Sequence, residues 1–460
     1  MLSLLPILLV FLHLSSSSST KNYLKLPLLH PHPYPPPPSQ ALSSDTHRLH
    51  HLFSSLHHHK KHPHQHSSSH NKYPQLPLTS GASTGSGQYF ITLHLGTPPQ
   101  PLLLVADTGS DLIWVTCSAC KNCSTRPQHS AFLARHSSTF APFHCYNEAC
   151  KLVPHPSHVP CNHTRHHSTC RYEYSYSDGS TTSGFYGRET TSFNTSLGKE
   201  VLFPKLQFGC GFRVTGPSIS GPSFNGAQGV MGLGRGPISL SSQLGKKFGR
   251  KFSYCLMDYT LAPPPTSYLI IGGRARNDEV LRSKMSYTPL LVNAFSPTFY
   301  YIRVKDVFID DVKLPISPSV WAIDESGNGG TVIDSGTTLT FLPLGAYDGV
   351  VAEFKKRVKL PEPSVPITDF DFCFNVSAGR VSSLPRLSFR LAGGSIFSPP
   401  PQNYFIDTAM DVKCLALQSV ASPVGFSVIG NLMQQGFMFE FDRDRSRLGF
   451  TRSGCGIMTP

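Results

Sequence analysis

Leu104-Val-Ala-Asp107-Thr-Gly-Ser110 and Val332-Ile-Asp334-Ser-Gly-Thr337 are two versions of one phrase. Each is an apolar run that ends in Asp, a small hydroxyl residue, Gly and a second hydroxyl residue. Either one alone reads as an ordinary surface turn, since Asp, Ser and Gly are what tight turns favour. Two copies 227 residues apart, each behind a buried-looking strand, point to two similar lobes. Each lobe would offer one carboxylate to a shared cleft.

The residue types suit that arrangement. Two carboxyl groups within hydrogen-bonding distance cannot both ionise cheaply, so Asp107 and Asp334 would share one proton. The ionised member draws a proton from a water between them, while the protonated member hydrogen-bonds to the carbonyl under attack. Gly109 and Gly336 let the backbone turn and bring amide N–H groups towards the carboxylates. Ser110 and Thr337 can donate to the outer carboxylate oxygens, and Thr108 and Ser335 can lock the two loops across a pseudo-twofold axis. This chemistry needs no metal and no organic cofactor.

Outward from these motifs the pattern is that of short strands. Tyr89, Ile91, Leu93 and Leu95 alternate with smaller or polar residues, Gly96-Thr97-Pro98-Pro99 makes a turn, and Pro101 to Ala106 is a buried-strand run. Val201-Leu-Phe, Leu206-Gln-Phe-Gly, Tyr268-Leu-Ile-Ile, Tyr300-Tyr-Ile-Arg-Val and Phe437-Met-Phe-Glu-Phe continue in that style. Helical signals are confined to the neighbourhoods of Ser239–Leu244 and Leu344–Val358. With 37 Gly, 40 Pro and only 15% charged residues in 460, the chain is expected to be mostly β and large enough for two lobes. The expected division is a lobe over 85–283 and a second over 284–460, preceded by segments 1–19 and 20–84.

At this point the chain resembles the pepsin-like aspartic proteases, and within them the atypical nepenthesin-like plant subgroup, from about Gly85 to Cys455. Asp107-Thr-Gly-Ser-Asp-Leu-Ile-Trp114-Val matches the first active-site segment and Asp334-Ser-Gly-Thr-Thr-Leu-Thr340 the second. Val230-Met231-Gly232 and Val428-Ile429-Gly430 look like the strands that complete a ψ-shaped loop beneath each Asp. Arg171-Tyr-Glu-Tyr-Ser-Tyr176-Ser-Asp-Gly-Ser180 resembles the flap hairpin, turned at Asp178-Gly179. The resemblance implies a bilobal fold with the site in the interlobe cleft, a flap tyrosine at Tyr176 and its hydroxyl facing the indole of Trp114. Ser177 stands where many members carry Gly, a change that bears on flap mobility.

Twelve Cys, seven of them between Cys117 and Cys170, fit an oxidising compartment and six disulfides. Cys117-Ser-Ala-Cys120-Lys-Asn-Cys123 also admits a zinc-knuckle reading, against which no His follows at finger spacing. The family pattern implies the pairs Cys117–Cys120, Cys123–Cys210, Cys145–Cys170, Cys150–Cys161, Cys255–Cys455 and Cys373–Cys414. Sequons at Asn122, Asn162, Asn194 and Asn375 fit the secretory route. Residues 1–19 carry an apolar run, Leu4 to Leu14, of signal-peptide length without a basic start. No segment reads as a membrane anchor. Extracellular space or cell wall is the expected location, with vacuole second.

From Thr20 to about Ser80 lie twelve of the 22 His, a Pro run and abundant Ser. This stretch reads as a disordered linker or propeptide, as an acid sensor through its clustered His, or as a metal-binding tract. The net charge of +13 has no basic run longer than three residues and no nucleic-acid motif beside it. It suits solubility or weak attachment to an anionic cell wall. The expected partners are polypeptide substrates of a monomeric endopeptidase that works at acid pH beside bulky apolar residues. Two other classes stay open: a non-catalytic protein of this fold that binds or inhibits a wall glycosidase, and a metal- or DNA-binding protein.

Overall fold

A computed structural model describes residues 23–28, 45, 88–121, 131–156, 161, 168–176, 180–194, 200–216, 219–220, 224, 226–258, 267–272, 283–377, 384–420, 425–452 and 455. The chain is mostly β, and one topology recurs in both lobes. In the first lobe Gln100–Asp107 runs parallel to Gly229–Gly232, with Asp107 beside Gly232, and Gly229–Gly232 is antiparallel to Ile113–Lys121. In the second, Thr331–Ile333 runs parallel to Ser427–Ile429, which pairs antiparallel with Thr340–Leu342. The two apolar-apolar-Gly segments therefore sit beside their own Asp strands. Gly229–Gly232, Thr331–Ile333 and Ser427–Ile429 are buried throughout and Gln100–Asp107 from Leu104 onward, which explains their largely apolar character.

Around the first motif the sheet has eight strands, seven in its ordered path and Arg171–Ser175 added on Thr181–Asn194. Val201-Leu-Phe and Leu206-Gln-Phe-Gly, expected as separate strands, belong to one strand, Glu200–Thr215. The junction is a bulge: Glu189 faces Leu206, Thr190 faces Pro204, and the extra residue Lys205 has φ 108°. A bulge bends the strand without ending it. A six-stranded sheet draws on both ends of the chain, in the order Tyr23–Leu28, Ser267–Gly272, Lys251–Cys255, Met438–Asp442, Arg447–Thr451, Ser286–Pro289.

Tyr23–Leu28 corrects the disordered reading of the leader over that stretch. Leu26 and Leu28 alternate into the main hydrophobic core, where they are 1% and 4% exposed. Pro27 is tolerated because the strand lies at a sheet edge. The expected helices form over Leu240–Gln243 and Leu344–Arg357. Among the described residues no helix is long and apolar enough to cross a membrane.

Three disulfides differ from the family-implied set. Cys117 bonds to Cys210, Cys145 to Cys161 and Cys150 to Cys170, so the pairs Cys117–Cys120, Cys123–Cys210, Cys145–Cys170 and Cys150–Cys161 do not form. The strand geometry gives the reason. Cys117 lies on the strand Ile113–Lys121, which runs parallel to the strand that carries Cys210. Val115 faces Cys210 on the parallel neighbour, and the Cys117 and Cys210 Cα atoms are 5.5 Å apart. This bond also removes Cys117 from any zinc knuckle. In the other swap, fully buried Cys150 meets fully buried Cys170, and the two half-buried cysteines, Cys145 and Cys161, meet each other. Cys255–Cys455 and Cys373–Cys414 are bonded. Cys123, the Cys120 side chain, Asn122, Asn162 and segment 1–19 lie outside the described residues. Asn194 is exposed at a strand end and Asn375 is half-buried.

Candidate active site

Each motif folds its Asp into a cage made by the three residues after it. The Gly109 N–H donates to Asp107 Oδ1 at 3.0 Å and the Ser110 hydroxyl to Oδ2 at 2.7 Å. In the second lobe the Gly336 N–H donates to Asp334 Oδ1 at 2.9 Å and the Thr337 hydroxyl to Oδ2 at 2.7 Å. Asp107 is 0% exposed and Asp334 3%. Buried carboxyl groups persist only with such donors, so the match between lobes is what the two similar phrases encode.

The loops are tied to each other as well. The Thr108 N–H donates to Ser335 Oγ at 3.1 Å, and the Ser335 N–H donates to Thr108 Oγ1 at 2.9 Å. The Ser335 hydroxyl donates to the Ala106 carbonyl, and Thr108 Oγ1 lies 3.4 Å from Asp334 Oδ1. Lower supports come from residues just past the strands Gly229–Gly232 and Ser427–Ile429: the Leu233 N–H donates to the Asp107 carbonyl, and Gln434 Nε2, at the end of the short helix Asn431–Gln434, to the Asp334 carbonyl.

Tyr176 and Trp114 are brought together. The indole Nε1–H of Trp114 donates to the Tyr176 hydroxyl oxygen, and both side chains are fully buried. Tyr176 stacks edge-on with Tyr174, and its N–H closes the hairpin on the Ser180 carbonyl. Burial, then the neighbouring Tyr174, pushes the Tyr176 phenol well above its ordinary range, so it stays a neutral hydroxyl. The flap tip, Ser177-Asp178-Gly179, lies outside the described residues.

Two carboxyl groups near the dyad were not singled out from sequence. Asp45, in the leader, is 3% exposed. It accepts the N–H of Thr338 at 3.0 Å and that of Leu339 at 2.6 Å, the two residues that follow the second motif. Asp111, directly after the first motif, accepts the Gly236 N–H and the Thr298 hydroxyl, each at 2.7 Å. The only sequence signals for these were Asp111 as the next residue after Ser110 and the repeated glycines Gly232, Gly234 and Gly236.

Family models described as xylanase inhibitor N-terminal and C-terminal match residues 89–273 and 299–452. The chain is 35% identical over 380 residues to aspartyl protease family protein 2 of Arabidopsis thaliana, covering 82% of this chain and 73% of that one. To aspartic proteinase nepenthesin-1 of Nepenthes gracilis it is 35% identical over 374 residues, covering 81% and 79%. Among solved structures the fold is similar to edgp, with TM-score 0.68 at 22% identity over 95% of this chain and 97% of that one. It is also similar to basic 7S globulin from soybean, with TM-score 0.62 at 22% identity over 81% and 94%.

Proposed function

The chain belongs to the pepsin-like aspartic protease family, and we propose that it is a secreted endopeptidase with Asp107 and Asp334 as its catalytic pair. The observation that carries this is the completeness of the dyad. Both carboxyl groups are buried, each holds one amide and one hydroxyl donor, and the Thr108–Ser335 exchange locks the loops together. In such a pair one proton is shared. The ionised carboxylate takes a proton from the attacking water as the oxygen bonds to the scissile carbonyl carbon. The protonated one hydrogen-bonds to the carbonyl oxygen, and the proton then passes to the leaving nitrogen as the C–N bond breaks. The buried hydroxyl of Tyr176 and its indole partner supply a rigid wall at the flap base. The work is done at acid pH, next to bulky apolar residues of the substrate, in the extracellular space or wall, and by a monomer.

The leader is read as the segment that keeps the enzyme latent. Its strand Tyr23–Leu28 is paired along its length with Ser267–Gly272, and Asp45 is seated on the amides just beyond Thr337.

A second reading has two observations behind it. The matching models are described as xylanase inhibitor, and the fold is shared with basic 7S globulin from soybean, so a non-catalytic binder of a wall glycosidase is the alternative. Internally quenched peptides assayed from pH 3 to 7, with and without pepstatin and beside Asp334→Asn, separate the two. Pepstatin-sensitive cleavage that disappears in the mutant supports the peptidase. Folded, leader-free protein that cuts nothing assigns the chain to binding.

A further inference from the structure

The Asp111 carboxylate is held by two separate stretches of chain. The Gly236 N–H donates to Oδ1 and the Thr298 hydroxyl to Oδ2. Gly232-Leu-Gly234-Arg-Gly236 is shaped around it: a Cβ on Gly234 would lie 2.4 Å from Oδ1, and one on Gly236 2.2 Å from Oδ2. No side chain other than hydrogen fits at either place. On one flank Asp111 continues from Ser110, whose hydroxyl donates to Asp107 and whose carbonyl accepts the Gly234 N–H. On the other flank Thr298 gives its carbonyl to the Arg235 N–H, and two residues later the Tyr300 carbonyl accepts the N–H of Ile333, next to Asp334. The Tyr300 hydroxyl returns to the Leu233 carbonyl at 2.8 Å.

We propose that Asp111 is a positioning residue that pins the Asp107 loop to the segment supporting the Asp334 strand, and so keeps the two carboxyl groups in register. It rests on the peptidase reading above. Its contact is distinct from the Thr108–Ser335 exchange, which joins the loops directly, because it braces them through Thr298 and Tyr300.

The charged and titratable groups facing Asp111 are Arg235, Arg443, Tyr174 and Tyr300. Arg443 is engaged with Ser241, Ser242 and the Arg235 carbonyl, and Arg235 with the Leu291 carbonyl. Burial outweighs their attraction together with the two hydrogen bonds, and the Asp111 carboxyl is raised above the usual carboxylate range. The cradle gives Asp111 one N–H donor, Gly236, and one hydroxyl donor, Thr298. Asparagine keeps the size and one acceptor oxygen without a charge to lose. For a raised value, the stabilisation is complete below the unfolded range and is lost as pH rises through the folded value.

The test compares wild type, Asp111→Asn and Asp111→Ala by Tm of the full-length proteins from pH 4 to 8, and by kcat and KM on a quenched peptide at each pH once the leader has been removed. The expected result is that Asp111→Ala lowers kcat about tenfold or more with KM changed less than about twofold, as misplaced catalytic groups do. Asp111→Asn keeps several times the kcat of Asp111→Ala at pH 4, and its Tm falls less than that of wild type as pH rises. Wild-type kcat in Asp111→Ala overturns the proposal. If folded, leader-free wild type cleaves no peptide, the peptidase reading fails alone, and an Asp111→Ala Tm equal to that of wild type would still show that the pin is absent.

Discussion

Thr108 and Ser335 each give a backbone N–H to the other's side-chain oxygen, at 3.1 and 2.9 Å, across 227 residues of chain. The two active-site loops are therefore bonded to each other before any substrate arrives. Removing either hydroxyl strands a buried N–H in the partner loop. Thr108→Ala and Ser335→Ala are each expected to destabilise the protein by about 1–3 kcal/mol. Because the two bonds form one unit, the double mutant should cost less than the sum, with a coupling of about 0.5–3 kcal/mol. Urea unfolding of the four-protein cycle measures this; strict additivity would mean that the loops do not brace each other.

Tyr176 accepts the Trp114 indole N–H inside a fully buried aromatic group. Tyr176→Phe removes the acceptor and leaves that N–H without a partner, which loosens the flap base where it meets the first loop. A fall in kcat/KM of about tenfold is expected. The phenol lies well above its ordinary range through burial, so it does not titrate between pH 3 and 8. The mutation should lower the pH–activity profile without moving either limb. A displaced limb would show that Tyr176 takes part in proton transfer.

What was legible in the chain was local. Asp107 and Asp334 stood out because their donors, Gly109, Ser110, Gly336 and Thr337, come two and three residues later. Asp111 and Asp45 were hidden because their partners lie far along the chain, Gly236 at a separation of 125, Thr298 at 187 and Thr338 at 293. Leu26 and Leu28 of the leader did alternate, but six residues inside a His- and Pro-rich segment are too short a period to read as a strand. Cys255–Cys455 and Cys373–Cys414 match the implied pairs, but those of the Cys-rich insertion failed for a related reason: pairing depends on which strands are neighbours, and Cys117 is set beside Cys210 by a parallel pairing that spacing does not reveal.

Non-reducing peptide mapping should recover Cys117–Cys210, Cys145–Cys161 and Cys150–Cys170 as three separate linked species. A Cys145–Cys170 species would refute the burial argument for the insertion. The largest stability effect should come from Cys255–Cys455, which closes 200 residues of chain across the six-stranded sheet. Replacing both by Ser is expected to cost about 2–5 kcal/mol, the usual range for a native disulfide of a secreted domain.

Asp442 sets the acid limit of the same sheet. Its carboxylate meets Lys251 at 3.1 Å, Arg445 at 3.1 Å and Arg447 at 3.3 Å. Burial pushes its carboxyl up, but the charge and hydrogen bond of Lys251, followed by those of Arg445, outweigh it and hold the group below the ordinary carboxylate range. A depressed value stabilises the fold above the unfolded range, and that contribution is lost as pH falls through the folded value. Asp442→Asn should therefore be clearly less stable than wild type at pH 6, with the two Tm curves converging below about pH 4, where the unfolded carboxyl takes up its proton. A Tm difference that stayed constant down to pH 2 would assign the loss to packing instead of charge.

The Asp45 seat makes the leader's grip open to direct measurement. Two buried N–H groups, of Thr338 and Leu339, converge on one carboxylate, and replacing it by a methyl group leaves both to water or to substrate. Asp45→Ala should speed removal of the leader by limited proteolysis at pH 6 while leaving the kcat of the leader-free enzyme unchanged, since the residue is absent from that form. The rate of leader loss, followed by mass, checks the first part. Equal rates in wild type and Asp45→Ala would mean that the paired strand Tyr23–Leu28 holds the leader without help from the active-site loop.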